Sequence, residues 1–80
     1  MKNTLEVKDI MNYIDHDEYV HVRGIDEWDV RKVGIYAYEI EVNFDDYTQV
    51  TITLFIDEYN KLKNFTRLVN DLLNCNKEAK

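Results

Sequence analysis

The sequence contains no proline and only two glycines, Gly24 and Gly34. Their scarcity leaves no flexible linker, no glycine-rich phosphate loop and no low-complexity tail. Cysteine occurs once, at Cys75, which excludes an internal disulfide; the residue reads as a semi-exposed thiol near a helix end rather than as a nucleophile. No N-terminal apolar run resembles a signal peptide or a membrane span, so the expected compartment is the cytoplasm. Bases are scarce in the middle of the chain, where residues 15–58 carry twelve acids against three bases and a net charge of −9. Residues 59–80 come to +3 and the whole chain to −6. That balance argues against direct contact with DNA or RNA, which needs a basic stripe, and against an anionic membrane surface. It favours a basic protein as partner.

What is present is enough for one core. Hydrophobic residues make up 45% of 80 residues, with six tyrosines, so the chain is expected to fold as a single domain over 1–80. A core of this size supplies only about 3–5 kcal/mol of net stability. Val7, Ile10, Met11 and Ile14 share one helical face, with Thr4 as the cap and Asp15-His16-Asp17-Glu18 as the stop. Tyr19–Arg23 alternates like a half-buried strand with Val20 and Val22 inward, closed by Gly24. Residues 25–32 show no clean period and read as a connecting loop with room for one helical turn.

Residues 33–44 alternate over a long stretch, with Tyr36, Tyr38, Ile40, Val42 and Phe44 toward the core and Val33, Ile35, Ala37, Glu39 and Glu41 opposite. Asp45-Asp46 supplies a turn, and Tyr47–Phe55 reads as the second arm of a hairpin with Val50, Ile52 and Leu54 inward. Asp57 then caps a helix whose stripe is Tyr59, Leu62, Phe65, Leu68, Val69, Leu72 and Leu73. The expected fold is α+β in the order α-β-β-β-α, a three-stranded antiparallel sheet with both helices on one face. The acids are then left on the open face around Val33, Ile35 and Phe55, and this apolar centre also suits a homodimer contact.

The chemistry-bearing clusters are few. Asp15, His16, Asp17, Glu18 and His21 could ligate Zn²⁺ or Mn²⁺ by residue type, but their spacing matches no helical His-x-x-x-His frame and no calcium loop, so no metal site is assigned. The pairs Glu39/Glu41 and Asp45/Asp46 could serve acid–base chemistry only in a concave pocket; on an exposed hairpin they read as hydrated acids. No nucleophile–base arrangement is present, so the expectation is no catalytic residue, no cofactor and no enzyme. Trp28, set among Asp26, Glu27 and Asp29, reads either as core or as the anchor of a contact with a basic surface. The expected partner-binding set is Asp26, Glu27, Trp28, Asp29, Glu39, Glu41, Asp45 and Asp46.

In size, acidity, Asn/Lys/Ile/Tyr-rich composition and element order the chain resembles small phage or mobile-element inhibitors of the anti-CRISPR and anti-restriction type. The resemblance is one of type and carries no residue motif. It implies an inhibitor whose Glu39, Glu41, Asp45 and Asp46 imitate phosphates on the nucleic-acid channel of a host defence protein. Two alternatives stand beside it: a structural or regulatory homo-oligomer, and an immunity protein or antitoxin that neutralises a basic nuclease.

Overall fold

A computed structural model describes residues 2–55 and 57–78. Helix α1 (Val7–His16) is followed by strands β1 (Ile25–Lys32), β2 (Ala37–Phe44) and β3 (Gln49–Phe55) and by helix α2 (Tyr59–Glu78). The strands form one antiparallel sheet in the order β1-β2-β3, so the α+β class and the α-β-β-β-α order stand as read from the sequence.

The inner face of the sheet follows the pleat. Trp28, Val42 and Val50 lie in one cross-strand row and Val30, Ile40 and Ile52 in the next, with Tyr38 beside Leu54. Apart from Tyr38, these side chains meet Leu5 and Ile10 near the N-terminus and Leu62, Phe65, Val69 and Leu73 of α2 in one cluster. Each aliphatic side chain fully withdrawn from water there contributes about 1.5–3 kcal/mol. In the α2 stripe Tyr59 and Leu68 are exposed instead.

Several boundaries differ from the sequence reading, each for a local reason. Thr4 does not cap α1; Glu6 does, because Asp9 is buried and its carboxylate accepts the Glu6 N–H at 3.0 Å and the Lys2 ammonium at 2.8 Å. The helix does not start earlier because Leu5 sits in the core and its backbone is held on both sides by the Asn70 side-chain amide, each bond 3.0 Å. The helix ends where Asp17 takes up a left-handed conformation, φ 58°.

Tyr19–Arg23 is not a sheet strand. Val22 is buried and His21 and Arg23 are exposed, but the backbone forms a single bridge to Lys2 among the described residues, through Arg23 N–H to Lys2 O at 2.7 Å and Lys2 N–H to His21 O at 3.1 Å. The first strand is instead residues 25–32, read from the sequence as a loop. The register shifts between Ile25 and Glu27, a bulge at Asp26 that moves the inward positions from Ile25 to Trp28 and Val30 and so breaks the two-residue alternation. Gly24, at φ +92°, turns the chain into this strand, and a Cβ there would lie 2.8 Å from Leu73 Cδ2.

The long strand pattern of residues 33–44 begins only at Ala37, because Val33 and Gly34 both donate to the Ala37 carbonyl and close the β1–β2 connection. Tyr36 is therefore exposed rather than core, and Tyr38 is half-buried. Likewise β3 starts at Gln49: Tyr47 adopts φ 71° and the Asp46 carboxylate accepts the Thr48 N–H at 3.0 Å, which places Tyr47 and Thr48 in the turn. Asp57 stands one residue too early to cap α2. The helix's first backbone bond runs from Leu62 N–H to Glu58 O at 3.1 Å, while the Glu58 carboxylate accepts the Phe55 N–H at 2.8 Å.

Candidate functional site

Strand alternation sends one set of side chains to the open sheet face, and the register orders them into rows. At the end nearest the β1–β2 connection, Ala37 stands opposite Phe55, and Val33, donating to Ala37 O at 2.9 Å, extends that row. The next row is Arg31, Glu39 and Thr53; then Asp29, Glu41 and Thr51; then Glu27, Asn43 and Gln49. Beyond it lie the Asp26 bulge and the Asp45-Asp46 turn, tied together by Asp45 N–H donating to Gly24 O at 3.1 Å. The open face thus runs from apolar at one end, through one mixed row, to acidic at the other.

The acids differ in their occupation. Glu39 forms an ion pair with Arg31, which raises the guanidinium pKa chiefly through that hydrogen bond. Glu41 accepts from Gln49, whose amide also donates to Asn43 at 2.9 Å. Asp29 is half-buried and structural: its Oδ1 accepts the Tyr13 hydroxyl at 3.0 Å and the Val30 N–H at 2.9 Å. That hydrogen bond, with burial second, raises the Tyr13 pKa. Asp26 and Glu27 are exposed and make no side-chain hydrogen bond or ion pair among the described residues. Asp45 and Asp46 are exposed at the turn, where Asp46 also builds it.

Trp28 leaves the surface set altogether. It is 1% exposed, its indole N–H donates to Val20 O at 2.7 Å, and its ring stacks on Tyr19 at 4.9 Å and meets the edge of Tyr13 at 5.3 Å. The Tyr19 hydroxyl in turn accepts the Trp28 backbone N–H at 3.1 Å. Of the acids flanking Trp28 in sequence, Glu27 is on the other side of the strand from its ring, Asp26 is at the bulge, and the Asp29 carboxylate is turned to the Tyr13 hydroxyl.

One aromatic residue takes the exposed place that Trp28 vacates. Tyr47 is 98% exposed and sits in the left-handed region directly after Asp45 and Asp46. A bulky side chain there costs on the order of 1 kcal/mol that a glycine would avoid. The sequence signal for it was the unusual tyrosine in an otherwise polar turn.

Asp15, His16, Asp17 and Glu18 are exposed, and His21 lies against the Tyr19 ring at 5.2 Å. No group of three or more His, Cys, Asp or Glu able to hold a metal forms among the described residues. A depression of about 470 Å³ lies between the N-terminal segment and α2, away from the acids of the sheet. Two of its polar members are engaged within the fold, Asn70 with Leu5 and Thr66 with the Lys63 carbonyl at 2.8 Å. Among the described residues no helix is long and apolar enough to cross a membrane. No family model, curated protein or solved structure matches this chain.

Proposed function

We propose that this chain is a non-catalytic inhibitor that binds a basic protein surface through its acidic sheet end and denies that surface to nucleic acid. The observation that carries the reading is the convergence of Asp26, Glu27, Glu41, Asp45 and Asp46, distant in sequence, on one uncovered end of the sheet, with Tyr47 exposed among them. An acidic surface of this kind speeds encounter with a basic partner and makes the complex salt-sensitive. A tyrosine at its centre adds an amphipathic contact of low conformational-entropy cost. Some small acidic phage inhibitors of the type that the chain resembles act in this way, and a basic nucleic-acid enzyme of the host is the expected target.

The test is capture of the partner at low salt by the wild-type chain and by a variant combining Asp26→Asn, Glu27→Gln, Glu41→Gln and Asp45→Asn. Asp46 is kept because it builds the turn. The wild type should retain a basic nucleic-acid-binding protein, release it with salt and block its binding to nucleic acid in a competition assay. The variant should fold with an unchanged melting temperature and lose most of that retention. Equal retention by both chains would sink the proposal.

A further inference from the structure

We infer that the apolar end of the open sheet face anchors this same contact, with Val33, Ile35, Tyr36 and Phe55 entering an apolar cleft that borders the partner's basic surface. The inference rests on the reading that the acidic end binds a basic protein, and it adds what holds the complex once it has formed.

The fold does not require these residues where they are. The connection between β1 and β2 is Val33-Gly34-Ile35-Tyr36, and only Gly34 has turn chemistry. Ile35 is 79% exposed and Tyr36 68%, with Val33 and Phe55 also more than half exposed. The β2–β3 turn, by contrast, is built from Asp45, Asp46 and Thr48 in the usual polar way. Concentrating four large apolar side chains at one tip is unfavourable in water and points to a covering surface.

Area and charge together decide what covers it. With aromatic side chains offering roughly 150–250 Å² each, the exposed parts of the four residues supply about half of the ~800 Å² that a standard interface takes from each partner. The remaining footprint has to come from the adjoining rows of the same face. A second copy meets this face by a two-fold axis, each residue contacting its counterpart's partner. Confined to the tip, that dimer is too small; extended over the sheet, it lays the carboxylate end of one copy on the apolar tip of the other and buries charge against hydrocarbon. An anionic lipid surface is repelled by the same carboxylates. A protein with an apolar cleft beside basic residues satisfies both ends at once. The acids then govern the association rate and the tip the dissociation rate.

The probes are two fluorescent helical peptides of equal positive charge, one with a leucine stripe and one with serine in its place, titrated by polarisation at several salt concentrations. Wild type should bind the leucine peptide at least about tenfold more tightly, the affinity equivalent of burying one aliphatic side chain. The double variant Ile35→Ser/Tyr36→Ser should lose that margin and keep the salt dependence. The double variant Glu27→Gln/Glu41→Gln, with Asp26, Asp45 and Asp46 still in place, should weaken the salt dependence and keep the margin. Equal binding of both peptides by wild type, or a margin that survives in the tip variant, overturns the inference and leaves the acidic-surface reading standing. Binding of neither peptide overturns both. A tip-dependent doubling of mass in light scattering, or tip-dependent binding to phosphatidylglycerol vesicles, would assign the patch to another occupant.

Discussion

Replacing Asn70 by alanine tests how the N-terminal segment is held. The Asn70 amide replaces a strand partner for Leu5, accepting its N–H and donating to its C=O, both at 3.0 Å. The two residues are 65 positions apart, and Leu5 is 0% exposed. Each bond contributes about 1 kcal/mol net, because the groups can partly return to water when the partner is removed. Alanine recovers up to about 0.6 kcal/mol of helix propensity in α2. The expected loss is therefore roughly 1.5 kcal/mol, which for a domain of this size lowers the melting temperature by roughly 6–12 °C. Urea unfolding gives the free energy, and hydrogen exchange gives the location: the Leu5 amide should exchange slowly in wild type and rapidly in the variant, with amides of β2 changed only by the global loss. A stability change below about 0.5 kcal/mol with Leu5 still protected would refute the assignment of Asn70 as the clamp.

Tyr47→Gly should raise stability by up to about 1 kcal/mol by relieving a left-handed tyrosine, while weakening capture of the basic partner; a stability loss, or unaltered capture, would contradict the role given to this side chain. Tyr13 donates to Asp29 and its ionisation is pushed above the ordinary tyrosine range, chiefly by that bond. Because the folded value is raised, this contribution is complete below the unfolded tyrosine pKa and is lost as pH rises through the folded one. Ultraviolet difference titration against Tyr13→Phe should reveal one late-ionising tyrosine, and Asp29→Asn should move it down; no movement would break the link.

The elements most legible in the sequence were those whose burial period is unbroken. The spacing of Leu62, Phe65, Val69 and Leu73 identified α2, and the alternation Ile40, Val42, Phe44 against Val50, Ile52, Leu54 identified the β2–β3 hairpin. The first strand was hidden because a single bulge residue at Asp26 shifts the phase of burial, and because its outward acids imitate loop composition. The false strand at residues 19–23 shows the converse. Its alternation reflects true burial of Val22, but its N–H and C=O groups are spent on Lys2 and on Trp28 rather than on a ladder. The acids were read from the sequence as one set, and sequence could not divide them, since the neutralisation of Glu39 by Arg31 depends on cross-strand register. Trp28 went to the core because its indole N–H finds a carbonyl there, which sequence proximity to acids does not reveal.

The side chains lying along the sheet margins carry a consequence for crowded solution. On β1 the outward N–H groups of Trp28 and Val30 are taken by the Tyr19 hydroxyl and by Asp29. On β3 the Thr53 carbonyl accepts from Lys61 at 3.0 Å and the Phe55 N–H is held by Glu58. A proline-free chain rich in valine, isoleucine, threonine and tyrosine is otherwise suited to templated strand addition. With these donors and this acceptor already engaged, an incoming strand must first displace them, which makes strand addition to the native protein less favourable.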